Sequence, residues 1–364
     1  MTHLILHIGH PKTGTTALQT VLSTNADRLL EAGVLYPTKA KPSFHNHALA
    51  KPALTGCDDH VIRGRYGLEG DELRRLSERY WDSVKAETKQ HSHDTLILSW
   101  EWLWDVDAAR SEYFRKRLLE VCDHITAVGY LRDPARFFLS MMNQRIRMFR
   151  GILLFQEDYY RSVIDAYREN GFETSINVFE SAHFANGDIV TDFCTKYLRP
   201  DLPALERGGN AERGNESISN EAMVILQEVA RAHSTSSPDA SPDARDSRRS
   251  KTVRIVYEAD RALGGNLRPS LKPEIEAAQV ARSTDLIWLR DEAGIQFANV
   301  DYDLVGTTGH PDLASLHSVE DFSPIDPDRL AALRAMTERK IARVYGRGAP
   351  VYSLVRRWFG STTP

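Results

Sequence analysis

The chain has few cysteines, no surplus of positive charge and no long apolar run. Its three cysteines, Cys57, Cys122 and Cys194 among 364 residues, are odd in number and far apart. They predict neither a disulfide framework nor a zinc knuckle, and are read as reduced structural thiols. No stretch approaches the ~20 apolar residues that cross a bilayer, and the first residues form a short apolar strand with no basic leader or cleavage site. These absences predict a soluble, cytoplasmic protein without a transmembrane segment. A formal net charge of −4 argues against wholesale coating of nucleic acid, and no nucleic-acid partner is expected. With 41% hydrophobic and 26% charged residues, the chain is globular and long enough to bury a substantial core.

A further absence lies inside a motif. Leu4 to Gln19 reads LILHIGHPKTGTTALQ: an apolar strand, a glycine turn, then two threonines opening a helix. The usual nucleotide triphosphatase loop is G-x-x-x-x-G-K-[ST], with its lysine directly after the second glycine. Gly9 and Gly14 keep that spacing, but Thr15 stands in the lysine's place and the positive charge sits at Lys12, inside the turn. The free N–H groups and hydroxyls of Thr15 and Thr16 at the helix start favour an anion, whatever nucleotide carries it.

The rest of the chain supplies a frame for that loop. Leu4 to Ile8, Thr95 to Ser99 and Ile125 to Leu131 are apolar runs of strand length, with Ser175 to Phe179 a weaker one. Helical patterns at Thr16 to Ala32 and Asp71 to Lys89 alternate with them, which predicts a parallel, doubly wound α/β sheet. Ligands of such sheets lie beyond the carboxyl ends of the strands, so attention falls on His10 to Thr16, Trp100 to Trp104, Arg132 to Ser140 and Glu180 to His183. Lys39 to Tyr66 has four prolines or glycines and little periodicity, and reads as a loop covering a substrate site. Ser234 to Ser250 is low in complexity and reads as a flexible, solvated insertion. Helical patterns resume at Val253 to Leu263, Glu274 to Arg282 and Arg329 to Tyr345. The expectation is one domain over 1–364, with 251–364 its helical C-terminal part.

A second motif follows the third strand: Tyr130 to Arg147 reads YLRDPARFFLSMMNQRIR. Asp133 and Pro134 suit a helix start. Arg132, at the strand end, can hold a phosphate through two parallel hydrogen bonds, and Ser140, about two turns into the helix, can add a hydroxyl.

Together, H-x-P-K-T-G-T-T at the first loop and R-D-P-x-x-x-x-x-S at the second resemble the sulfotransferases that use 3′-phosphoadenosine 5′-phosphosulfate (PAPS), over most of the first 230 residues. The resemblance implies a three-layer α/β/α, P-loop-like sulfotransferase fold with a central parallel sheet. His10, Pro11, Lys12, Thr13, Gly14, Thr15 and Thr16 would hold the 5′-phosphosulfate, and Arg132 and Ser140 the 3′-phosphate. Arg213, in the polar stretch NAERGNESIS, would close over the nucleotide, although a plain capping loop explains that stretch as well. PAPS would be the donor, adenosine 3′,5′-bisphosphate (PAP) the product, and no metal would be required.

Charge builds on the bridging oxygen during sulfuryl transfer, which favours a cation there, and Lys12 is the residue expected to supply it. A hydroxyl acceptor also needs a base. Glu101 in SWEWLW stands where the resemblance puts a catalytic His or Glu, and its flanking tryptophans would partly desolvate it. His45 and His47 are the other candidates. The acceptor implied is a small molecule or glycan, most simply a carbohydrate or glycolipid hydroxyl, with Trp100, Trp102 and Trp104 available to stack on a ring. Arg145, Arg147 and Arg150 could line an opening for an acidic glycan, against the plainer reading of a solvated face. The rival readings are a P-loop kinase or ATPase, which needs a lysine after Gly14, and a non-catalytic nucleotide-binding protein.

Overall fold

The computed structural model describes residues 1–39, 46–57, 60–153, 160–198, 202, 205–207, 217–236, 242–265 and 268–345. In chain order they form β1 (His3–His7), α1 (Thr15–Thr24), α2 (Ala26–Glu31), β2 (Val34–Leu35), α3 (Lys51–Thr55), α4 (His60–Tyr66), α5 (Gly70–Gln90), β3 (Thr95–Ser99), α6 (Val106–Arg110), α7 (Glu112–Leu118), β4 (His124–Leu131), α8 (Pro134–Arg147), α9 (Tyr160–Glu169), β5 (Glu173–Val178), α10 (Ile189–Tyr197), α11 (Asn220–Ser236), α12 (Pro242–Leu263), α13 (Pro273–Ala281), α14 (Asp285–Asp291), α15 (Val319–Phe322) and α16 (Pro327–Tyr345). Contacts divide the chain into two compact units. The first is Met1–Asp133, Asp158–Asn215 and Thr284–Val300; the second is Pro134–Glu157, Glu216–Ser283 and Asp301–Pro364.

The first unit is α/β, with a five-stranded, all-parallel sheet in the order β2-β3-β1-β4-β5. Leu4 of β1 lies opposite Leu96 and Ile125, and His7 opposite Ser99 and Val128. Leu4, Ile5 and Leu6 are all buried, as a central parallel strand covered on both faces requires. The chain leaves β1 toward β2 and β3, then crosses over β1 to reach β4. The carboxyl end of β1 is therefore flanked by loops running in opposite directions, the usual place for a ligand in such a sheet.

Two departures from the sequence reading have local causes. The helix expected over Thr16 to Ala32 is broken at Asn25, whose side-chain amide donates to the carbonyls of Val21 (2.8 Å) and Glu206 (2.9 Å) while its Oδ1 accepts the Glu206 N–H (2.8 Å). An asparagine whose side chain competes for helix carbonyls ends the helix there. Within the expected covering loop, α3 and α4 are helical. Pro52 starts α3 and Gly56, at φ 71°, caps it, while Leu49, Ala53 and Leu54 are buried. Ser77 of α5 fixes this segment, accepting the Ala53 N–H (2.8 Å) and donating to Leu49 O (2.5 Å).

The second unit is helical. Its core gathers Met142, Ile225, Val256, Phe322 and Leu333, with α11 packed against α8, α12, α15 and α16. Arg329 ties three segments together through Glu221 (3.2 Å), Asp260 (2.5 Å) and the carbonyl of Gly264. The stretch 234–250, expected as a solvated insertion, is helical where described: α11 runs to Ser236 and α12 begins at Pro242. A proline suits a first helical turn, and low complexity did not reveal that start.

Candidate functional site

The loop between β1 and α1 is held in a shape few residues adopt. Gly9 (φ 48°), Lys12 (φ 69°) and Gly14 (φ 73°) all have left-handed backbones. A Cβ at Gly9 would lie 3.2 Å from Glu101 Cα and 3.3 Å from Thr15 Oγ1, and one at Gly14 would lie 3.1 Å from the Phe179 ring. Both glycines are thus required by conformation and by space. Lys12 has no such freedom, and a non-glycine residue in this region stores strain of about 1–2 kcal/mol. Such strain concentrates at ligand clamps.

Thr15 opens α1, and its side chain is buried with Oγ1 meeting no hydrogen-bond partner among the described residues. A buried hydroxyl left in that state at a helix N-terminus, where the first backbone N–H groups have no partner within the helix, is ready to donate to an anion. Thr16, next along, is exposed. Thr13 differs from expectation: its hydroxyl donates to the His10 carbonyl at 2.5 Å, so only its N–H remains to face a phosphate.

Glu101 meets this loop from the end of β3, in the turn Glu101–Leu103. Its Oε1 accepts the backbone N–H of Lys12 at 3.1 Å, while Oε2 accepts no hydrogen bond from a described residue. Of the three neighbouring tryptophans, Trp100 and Trp104 are core and Trp102 is 42% exposed.

Arg132 reaches the same loop from the end of β4. Its guanidinium carbon sits 4.8 Å from the Phe179 ring centroid, and Phe179 is also the residue closing on Gly14. The Phe179 N–H bonds to Leu131 O at 2.6 Å, just before Arg132. One aromatic ring therefore joins the two motifs. Sequence reasoning passed over it because attention fell on the residues after the strand's end, one position further along.

His10 is buried, edge-on to Trp104 with its ring 5.6 Å away, and tilted against Tyr160. Tyr160 donates to the Arg132 carbonyl at 3.2 Å. Burial, with the positive charge of Arg132 nearby, pushes His10 down to about 3, so its ring is neutral and forms part of the wall behind the loop. Pro11 is buried beside it.

His47 has both ring nitrogens engaged: Nδ1 accepts the Ser99 N–H (3.0 Å), which leaves the proton on Nε2 to donate to Pro37 O (3.0 Å). Burial pushes it down to about 4. As β2 pairs only with Thr95 and Leu96, the His47 ring and backbone complete the end of β3, and this bonding leaves no nitrogen to take an acceptor's proton. Ser99 Oγ contacts His7 Nδ1 (2.8 Å) and accepts from Gln19 (3.0 Å), so a buried polar network lies below the loop. Burial likewise pushes His7 down to about 4.

Ser140 is half-buried on α8 and belongs to the second unit. His45 and Arg213 lie outside the described residues. No group of His, Cys, Asp and Glu that could hold a metal, and no helix long and apolar enough to cross a membrane, occurs among the described residues. The chain matches no family model, no curated protein and no solved structure.

Proposed function

We propose that this protein is a sulfotransferase that moves the sulfuryl group of PAPS to a hydroxyl, on a carbohydrate or glycolipid. The observation that carries the reading is the hydrogen bond from the Lys12 N–H to Glu101. It sets an acceptor carboxylate at an anion loop whose lysine sits within the turn rather than after Gly14. Arg132, tied to Gly14 through Phe179, supplies a second cation near that loop.

In this reading, Thr15 Oγ1 and the N–H groups of Gly14 to Thr16 hold the 5′-phosphate. Glu101 Oε2 takes the proton as the acceptor oxygen attacks sulfur. The bond from sulfur to the phosphate oxygen breaks, its electron pair stays on PAP, and Lys12 stabilises that developing charge. The step as drawn uses no metal ion. Trp102, exposed one residue from Glu101, offers a face on which an acceptor sugar ring can stack.

Thermal shift with PAP against ATP plus Mg²⁺ tests the reading, because a ligand that binds only the folded state raises its melting temperature. A shift with PAP alone is expected. A shift with Mg·ATP alone replaces it with the kinase or ATPase reading.

A further inference from the structure

The backbone of Arg132 is fixed from two sides within the first unit. The Tyr160 hydroxyl donates to its carbonyl at 3.2 Å, and Phe179, the residue after β5, donates its N–H to the preceding carbonyl, Leu131 O, at 2.6 Å. With the backbone set, the conformation of the side chain decides where the charge lies, and a long arginine side chain loses much rotamer freedom when an anion fixes it. The Phe179 ring restricts that freedom in advance. The Arg132 guanidinium carbon lies 4.8 Å from the ring centroid, inside the ~6 Å over which a ring face attracts a cation.

The ring has little room to shift. A Cβ at Gly14 would lie 3.1 Å from its Cε2 and 3.4 Å from its Cζ, so that one edge is set against the β1–α1 loop. Phe184 meets it edge to face, with centroids 5.3 Å apart and planes at 64°, and Phe184 meets the buried Tyr130 of β4 in the same way at 6.1 Å. One rigid ring thus presents its face to the cation and its edge to the loop. Packing alone does not ask for this arrangement. Phe179 is half-buried, and an aliphatic residue could cover the same part of the core, whereas only an aromatic face attracts a guanidinium.

We propose that Phe179 is a positioning residue: its ring holds the Arg132 guanidinium at a set place beside the β1–α1 loop, so that the two together select a nucleotide carrying a second phosphate besides the one in the loop. A guanidinium held by its face keeps the N–H groups along its edge for an anion. This role rests on the PAP reading given above, and adds to it that the preference for two phosphates over one runs through Phe179.

Isothermal titration calorimetry of the full chain with PAP and with adenosine 5′-monophosphate (AMP), at one ionic strength, tests it. The parent should bind PAP more tightly than AMP. Phe179→Leu should weaken PAP about tenfold, within the range of a cation–π contact, and AMP by no more than about threefold. In an Arg132→Met background the same substitution should leave the ratio of PAP to AMP affinity where it is, because its effect passes through the guanidinium. Should Phe179→Leu not fold, phenylalanine bearing one, two or three ring fluorines at position 179 keeps the ring while draining its negative face, and PAP affinity should fall with each fluorine. Equal loss of PAP and AMP, an undiminished effect in Arg132→Met, or indifference to fluorination overturns the proposal and leaves the PAP reading standing. So does a parent that binds PAP no better than AMP, while a parent that binds neither overturns both.

Discussion

Glu101 accepts the backbone N–H of Lys12 across a sequence separation of 89 residues, at 3.1 Å. The bond links the end of β3 to the turn after β1, and it engages only one of the carboxylate oxygens. Glu101→Gln keeps an oxygen able to accept that N–H and loses only the capacity to take a proton. The variant should fold normally and bind PAP within about twofold of the parent, while transfer from PAPS falls by about 10²-fold or more, the usual contribution of a general base. A radiolabelled transfer assay and a PAP thermal shift measure the two effects. Equal loss of both would make Glu101 a fold residue.

The two loop glycines should be intolerant of the smallest addition. Gly9→Ala puts a methyl 3.2 Å from the Glu101 backbone at a left-handed φ of 48°, and Gly14→Ala meets the Phe179 ring at 3.1 Å. Each should destabilise the first unit by about 1–3 kcal/mol, read by urea denaturation. Phe179→Leu should relieve the clash in Gly14→Ala, which a double-mutant cycle would detect as non-additivity.

Stability should depend on pH through the buried histidines. His7 and His47 are held at about 4 and His10 at about 3, against about 6.5 in an unfolded chain. Below pH 6.5 the unfolded state binds protons that the folded state refuses, so stability is complete above about pH 6.5 and falls as pH drops toward 4. Each unit of difference corresponds to about 1.4 kcal/mol. Urea melts between pH 7.5 and 4.5 should show the decline, and His47→Gln should flatten it.

Arg329 should be the most sensitive charged residue of the second unit. It is paired with Glu221 and Asp260, both buried. Arg329→Met keeps the aliphatic stem but removes the countercharge of two buried carboxylates, and breaking a buried pair in this way costs about 3–5 kcal/mol. Chemical denaturation should show that loss. A loss under 1 kcal/mol would mean that solvent reaches the carboxylates.

Much of the sheet was legible because β1, β3 and β4 are short apolar runs buried on both faces: Thr95 to Ser99 coincides with β3, and Ile125 to Leu131 lies within β4. β2 was not, since two residues, Val34 and Leu35, carry no periodicity. The helices around Pro52 and His60 were hidden by proline and glycine, which here mark a helix start and its cap. The glycine spacing of the first loop was legible too, but not that Thr13 would turn its hydroxyl back to His10.

By itself, the sequence determined the parallel α/β frame, the loop with its displaced lysine and the order of the motifs along the chain, because these depend on hydrophobic pattern and local backbone preference. Tertiary structure alone decided which side chains meet. It brought Glu101 to Lys12, laid Phe179 between Gly14 and Arg132, and turned His47 inward to complete the edge of β3. Those contacts join residues far apart in sequence, and their distances follow from strand order and packing rather than from any local signal.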